Sequence, residues 1–535
     1  MEPRLEAAAG KYFEHRLFLR TRRIGVRCLC LSHDRLPLST TLTRHADKVS
    51  RSRHPDDTLG STSLAEVNAA AHSSAASCIA RKPPARLASP FLGVPLPKTI
   101  FFDGLNLGLR RGTGVATYTR TLANLTRGEL GYRTGILYSR QRGFPRRSLD
   151  REIAFFDDPA PFHVWHSLKA LTSFGNFLIS VAGVRPKRIA PTGAVITQPL
   201  GINWVPSDEI YAATRIFDRA QGLFVISGMR LKARLSTKAD LFHWTYPLPI
   251  TSNARANIYT LHDLVPMRLP YMTLEWKRYY LRSMRAIAKR ADHIVTVSEN
   301  SKRDIQTYLG VDESRITNTF QAVNIPDHYL ARSDDLIADE LAGVFGLGMR
   351  QYLLFYGSLE PKKNISRILQ AYLAADIDIP LVVVTAQSWL AEDETRLLDQ
   401  IAKDDNDRIF QKPDEGRRIR RYDYMPFRLL VTLIQGARAV VFPSLYEGFG
   451  LPVLEAMKLG TPVITSTTSS IPEVAGDATL MVDPYDVDAI RKAIIAVDRD
   501  GDLCADLRTR GLRRAEMFSL AAYRERLTKL YASLT

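Results

Sequence analysis

Between Ala439 and Glu455 the chain reads Ala-Val-Val-Phe-Pro-Ser-Leu-Tyr-Glu-Gly-Phe-Gly-Leu-Pro-Val-Leu-Glu, which sets two carboxylates, Glu447 and Glu455, around a pair of glycines. A carboxylate can accept hydrogen bonds from two neighbouring sugar hydroxyls. Gly448 and Gly450 let the backbone approach a ligand closely. The apolar run Val440, Val441 and Phe442 predicts a buried strand that delivers this turn. Pro452 then belongs in the first turn of a helix, where its missing N–H costs nothing. The free N–H groups of that helix start attract phosphate. One end of the stretch suits a diphosphate and its two acids suit polyols, which together imply a nucleotide-sugar site.

The spacing resembles the Glu-x7-Glu motif of the retaining glycosyltransferases of family 4 (group 1). The likeness continues through Gly460-Thr461-Pro462-Val463-Ile464-Thr465, Ile471-Pro472-Glu473-Val474-Ala475-Gly476-Asp477-Ala478 and Val482-Asp483-Pro484. It implies an α/β chain of the GT-B class, with two Rossmann-like doubly wound domains facing across a cleft. Earlier in the chain, Tyr352 to Gly357 reads as a strand entering Ser358-Leu359-Glu360-Pro361-Lys362-Lys363-Asn364. The resemblance implies that Lys362 and Lys363 hold the donor diphosphate, with Gly357 beside it. Lys362 stands where the family often has arginine, and Ser358 where many members carry another, so a bidentate contact becomes a point charge. Met425, in Tyr422-Asp423-Tyr424-Met425-Pro426, fills the place whose backbone commonly contacts the base. The implied donor set is completed by Glu447 on sugar hydroxyls, Gly448, Phe449, Gly450 and Leu451 at the helix entry, and Glu455 on the ribose.

The 535 residues are enough for two or three domains. A hydrophobic content of 45% and a charged content of 24% are those of a soluble globular protein. No apolar run approaches the roughly 20 residues that span a bilayer, and no secretory signal opens the chain, so cytoplasmic residence is the default. Cys28, Cys30, Cys78 and Cys504 make neither a disulfide framework nor a zinc pattern. The formal charge of +17 implies an anionic partner without choosing among nucleotide sugars, anionic lipid and nucleic acid.

Residues 1–96 form a basic, low-complexity extension expected to be disordered. Its alternatives are a basic arm for membrane or nucleic acid and a dispensable segment. Residues 97–327 should form the acceptor-side domain. It begins with a strand at Thr99–Asp103, a glycine loop from Gly104 to Gly114, and a helix with Tyr118, Leu122 and Leu125 on one side. Such a unit places ligands beyond the strand's carboxyl end. Thr113-Gly114-Val115 resembles the family's Thr-Gly-Ile, whose glycines make room for donor phosphate and acceptor; the plain alternative is a tight turn. Ile258 to Leu261 reads as a strand ending in His262-Asp263. His262 alone suggests a structural histidine, whereas the resemblance implies a contact to the donor sugar near the reacting carbon.

A helix from Leu274 to Ala291 carries Arg278, Arg282, Arg285 and Lys289 as one cationic stripe. It is either a surface for anionic membrane, on the inner face of the cytoplasmic membrane, or a solvated face. A linker is expected near 324–350, the donor-binding domain over 328–515, and a helix over 516–535 that crosses back to the first domain. Asp376-Ile377-Asp378, Asp486-Val487-Asp488 and Asp498-Arg499-Asp500 read as helix and turn punctuation, and no metal is expected.

The resemblance implies transfer with retention from a nucleoside-diphosphate sugar, GDP-mannose favoured, to a hydroxyl of a growing cell-surface glycan or polyprenyl-diphosphate-linked acceptor. Glu447, Lys363 and His262 are the residues expected nearest the reacting atoms. A glycoside hydrolase using Glu447 and Glu455 would need both acids on one bond, which a phosphate-binding helix entry argues against. A catalytically silent GT-B scaffold of a polysaccharide assembly complex is the alternative outside enzymology. No groove-reading motif suggests specific nucleic-acid binding.

Overall fold

A computed structural model describes residues 98–108, 114–157, 179–195, 205–273, 276–388 and 418–535. The extension over residues 1–96 and Thr113 lie outside the described residues. Among the described residues the first half holds ten strands: β1 (Thr99–Asp103), β2 (Arg133–Arg140), β3 (Lys187–Ile189), β4 (Glu209–Thr214), β5 (Leu231–Ala233), β6 (Leu241–Trp244), β7 (Ile250–Ser252), β8 (Ala256–Thr260), β9 (His293–Thr296) and β10 (Ile316–Asn318). Eight of them form one sheet in the order β10-β9-β8-β6-β1-β2-β4-β3, and β5 pairs with β7 apart from it. Among the described strands of the large sheet, β3 at the edge runs antiparallel to its neighbour and the others pair in parallel. Strands such as β1 and β6 are buried on both faces, as a parallel sheet covered by helices requires.

The second sheet consists of β11 (Leu353–Leu359), β12 (Leu381–Ser388), β13 (Ile419–Tyr422), β14 (Ala439–Phe442), β15 (Val463–Ser466) and β16 (Leu480–Val482). Its order is β13-β12-β11-β14-β15-β16, with every pairing parallel. The chain leaves β1 in one direction across the first sheet and returns to β6 on the other side. It does the same around β11 and β14 in the second. Both sheets therefore have a switch point, the place where an open α/β sheet leaves a crevice beyond its strand ends.

Residues 324–350 are not a bare linker. They hold helices Asp327–Leu330 and Asp334–Phe345, and the second buries Ile337, Leu341 and Phe345 in the large hydrophobic cluster. Ser333 caps that helix by accepting from the Leu336 N–H, and Gly346 closes it in the left-handed conformation. The turn at Phe320 takes φ of 56°, unusual for a side chain of this size. Its ring is fixed edge-on against Phe518 and beneath the Arg526 guanidinium.

The last helix, Leu520–Leu534, is capped by Ser519 and packs on first-sheet residues. Tyr531 donates to, or accepts from, Nδ1 of buried His243 at 2.9 Å, while His243 Nε2 meets Thr260 Oγ1 at 2.8 Å. Burial holds the His243 pKa down to about 3. The basic helix begins at Lys277 and ends at Arg290, burying Met284 and Ile287 and exposing Arg278, Arg282, Arg285 and Lys289. Among the described residues no helix is long and apolar enough to cross a membrane.

Candidate active site

The loops after β11 and β14 meet at the second sheet's switch point. Gly357 has φ of 148°, and the pairing of β11 with β12 shifts register between Gly357 and Leu359. The strand thereby turns out of the sheet into the short helix Pro361–Lys363. Asn364 follows in the left-handed conformation, buried, and its Nδ2 donates to the carbonyls of Pro443 at 3.0 Å and Pro484 at 2.6 Å. It ties the lysine turn to the chain leaving β14. Lys363 Nζ consequently lies 2.7 Å from Glu447 Oε1 and 5.0 Å from the centre of the Phe442 ring. Both partners are largely shielded, with side chains 12% and 9% exposed.

Lys362 sits against Glu360 at 3.5 Å. Burial opposes its charge, but the carboxylates of Asp263, Glu447 and Glu360 outweigh that effect and hold its pKa above the ordinary lysine value. Glu360 is itself oriented by Ser358, whose hydroxyl donates to Oε1 at 2.6 Å. The serine standing in place of the family's arginine thus has a defined task. Glu447 is clamped by serines: its N–H donates to Ser469 Oγ at 3.0 Å and its carbonyl accepts from Ser470 Oγ at 2.9 Å.

Helix Leu451–Lys458 starts at Gly450 with φ of 104°, and Pro452 falls in its first turn. Glu455 is the fifth residue of the helix, one turn inside the mouth. Tyr356 is its neighbour, with a hydroxyl 2.7 Å from the Pro452 carbonyl. Burial drives the Glu455 carboxyl up to about 7, only partly offset by its hydrogen bond to Tyr356. The ring of Phe449 packs edge-on against Phe518 at 5.6 Å, which leaves only its backbone for a ligand. Met425 lies at the carboxyl end of edge strand β13, two strands from β11.

Across the cleft, His262 follows β8. Its Nε2 lies 2.9 Å from the Thr245 carbonyl and its ring meets Tyr118 edge-on at 4.8 Å. A carbonyl only accepts, so Nε2 carries the proton. Burial lowers the His262 pKa against the opposing pull of Thr245 and Asp263, keeping the ring neutral with Nδ1 as an acceptor. Thr245 is in turn held through its N–H and hydroxyl by Asp103, at the end of β1. Burial raises the Asp103 pKa to about 6.

The two halves touch at this point. A Cβ on Gly448 would lie 2.8 Å from the His262 carbonyl oxygen, and one on Gly114 would lie 3.3 Å from Leu451 Cδ1. Ser301 Oγ donates to the His262 carbonyl at 2.9 Å. Tyr446 donates to Asp304, and Asn300 Nδ2 donates to Tyr446 at 2.8 Å. Glu473 accepts the N–H groups of Glu299 and Asn300 at 2.7 and 2.9 Å, at the start of helix Glu299–Leu309. Sequence reasoning missed this role of Glu473 and the Tyr446–Asp304 pair, because each joins segments far apart in the chain. The described residues hold no gathering of three or more His, Cys, Asp or Glu side chains able to take a metal.

Residues 345–514 match the family model described as glycosyl transferases group 1, and residues 196–319 match glycosyltransferase family 4. The chain is 34% identical over 268 residues to O-antigen chain mannosyltransferase B of Escherichia coli, a span of 49% of this chain and 66% of that one. It is 27% identical over 284 residues to the serotype-specific mannosyltransferase WbdA of Escherichia coli, covering 52% of this chain and 33% of the relative. Sucrose-phosphate synthase from Thermosynechococcus elongatus superposes with a TM-score of 0.55 at 17% identity, over 82% of this chain and 99% of that one. HepE of Anabaena, solved with UDP and glucose, does so with a TM-score of 0.53 at 13% identity, over 82% of this chain and all of that one. The two family matches together cover more than half of the residues, and both solved structures superpose over 82% of the chain. The chain belongs to the group 1 glycosyltransferases, on the GT-B fold.

Proposed function

We propose that this chain is a retaining glycosyltransferase that moves mannose from GDP-mannose to a hydroxyl of a growing cell-surface glycan. The observation that carries the reading is the Lys363–Glu447 pair at 2.7 Å, at the switch point of one sheet and opposite His262 on the other. The printed names of the Escherichia coli relatives support mannose as the sugar. Lys362 and Lys363 face the donor diphosphate, where charge develops as the bond breaks. Lys363 then exchanges Glu447 for phosphate, which frees that carboxylate to accept the sugar's hydroxyls. Glu455 receives the ribose, and neutral His262 accepts from a sugar hydroxyl through Nδ1.

In the transfer, the bond from C1 to the leaving phosphate oxygen breaks and the acceptor oxygen bonds C1 from the same face. The acceptor's proton passes to the departing phosphate. The protein supplies position and charge, with no covalent intermediate on a side chain. The contacts joining the halves around Gly448 exclude water that would otherwise consume the donor. The exposed stripe of helix Lys277–Arg290 supports peripheral contact with anionic membrane on the cytoplasmic side, where lipid-linked acceptors would lie.

The test is nucleotide release by the full chain from a panel of GDP- and UDP-sugars with mannosylated acceptors, beside Glu447→Ala. Turnover of GDP-mannose that falls at least about 100-fold in the variant supports the assignment. Undiminished turnover in the variant refutes it. Nucleotide binding without turnover of any donor would favour the scaffold reading.

A further inference from the structure

We propose that the cavity between the two sheets takes the acceptor as an uncharged sugar, whose hydroxyls are read by the carboxylates of Asp263 and Glu360. This rests on the transferase reading above and names the class of its second substrate. The cavity measures about 300 Å³, at the small end of ligand sites. Its first-sheet wall is largely apolar, with Tyr246, Pro247 and Pro266 available to cover the C–H face of a ring. Its charged groups are two carboxylates, Asp263 and Glu360, against one ammonium, Lys362, with His262 and Thr273 also on the lining.

Each carboxylate has one oxygen tied to its own loop. Asp263 Oδ1 accepts the Val265 N–H at 3.2 Å, and its Oδ2 lies toward the Gly448 turn. Glu360 Oε1 is held by Ser358, and its Oε2 faces Lys362. Lys362 covers the second oxygen of Glu360 until it turns to the donor diphosphate; that oxygen can then receive a hydroxyl, since an ionised carboxylate only accepts. Ser358 is instructive here. An arginine at that position would bring a second cation beside Glu360, whereas the serine fixes the carboxylate and leaves its charge. Once a donor occupies the site, Lys362 and Lys363 are committed to its diphosphate, and the cavity presents unbalanced negative charge. A phosphorylated acceptor terminus would meet both carboxylates without a counter-charge.

Saturation-transfer NMR on the full chain, first titrated with GDP and with UDP, would compare methyl α-mannopyranoside with its 6-phosphate. The neutral glycoside is expected to bind at least about tenfold more tightly. Asp263→Asn and Glu360→Gln, one on each side of the cleft, should each weaken its binding by about tenfold, the loss of one hydrogen bond to a charged acceptor. In turnover they should raise the acceptor KM far more than the donor KM. Tighter binding of the phosphate, or unaltered glycoside binding by both variants with unchanged melting, overturns the proposal while leaving the donor assignment standing. Failure of the parent chain to bind either nucleotide overturns the transferase reading itself, and is read before any acceptor is added.

Discussion

If Glu455 holds the donor ribose as proposed, donor binding should release a proton. Burial penalises the anion and pushes its carboxyl up to about 7. If Glu455 receives the ribose hydroxyls, each hydrogen bond to the ionised form is worth about 1.5–3 kcal/mol. At roughly 1.4 kcal/mol per pKa step, two such bonds bring the carboxyl back to about 5 or below. Binding should therefore expel close to one proton at about pH 6, about half a proton at pH 7, and almost none by about pH 8.5. Calorimetric titration of the intact sugar nucleotide in two buffers of different ionisation enthalpy measures this directly. The sugar nucleotide's own diphosphate does not titrate in that range. Glu455→Gln should abolish the release and weaken donor binding about tenfold or more. Buffer-independent heats at both pH 6 and pH 7, with donor bound, would refute the assignment of Glu455 to the ribose.

The same carboxyl sets a stability trend with the sign reversed from an ordinary ion pair. Because its folded pKa lies above the unfolded value of 4.5, its contribution is fully present below about 4.5 and is lost as pH rises through about 7. Above pH 8 the empty Glu455→Gln variant should melt higher than the parent. The ceiling is roughly 3 kcal/mol, reduced because the side chain is only half-buried.

Lys363→Met leaves Glu447 shielded without its cation and should destabilise the fold by about 3 kcal/mol besides abolishing turnover, as urea unfolding and nucleotide release would show. Gly448→Ala places a methyl 2.8 Å from the His262 carbonyl, so it should spread the two halves at a cost of about 1–3 kcal/mol and cut kcat; small-angle scattering and turnover check both. Tyr531→Phe removes the partner of buried His243 Nδ1 and should cost about 1–3 kcal/mol in urea unfolding. Since the folded His243 pKa lies far below 6.5, its share of stability is present above that value and is lost as pH falls below it, which a series of melts from pH 7.5 to 5 would reveal.

What could be read in advance divides along a physical line. Strand periodicity, glycine turns and caps are local, and they located β1, β8, β11 and β14 together with the residues at their ends. The helix Asp334–Phe345 was also legible in principle, since Ile337, Leu341 and Phe345 recur every four residues behind the cap Ser333. Asp334 and Asp335 in its first turn, which suit a helix start, point the same way, against the linker expected over 324–350. Contacts between distant segments leave no local period. Nothing in Phe449 announces that its ring is occupied by Phe518, and nothing in Glu473 announces the helix start it closes 173 residues away.

Those distant contacts nevertheless explain why chemistry falls where it does. Each sheet supplies half of the proposed site: cations and Glu447 from the switch point of one, His262 after β8 and the apolar wall from the other. Asp103 holds Thr245, Thr245 orients His262, and the His262 carbonyl receives Ser301 beside the Gly448 turn. The order begun in β1 is thus carried to the loop that presents Glu447. Tyr446 and Glu473 fasten that loop and its neighbour to helix Glu299–Leu309. In the proposed reaction, a donor seated on the second sheet meets its acceptor across these contacts. Tyr446→Phe and Glu473→Gln, whose side chains fasten the loops to helix Glu299–Leu309, should accordingly lower kcat while donor affinity changes less than about threefold. Equal losses in donor affinity and kcat would instead place both residues in the donor site and overturn this account of the cleft.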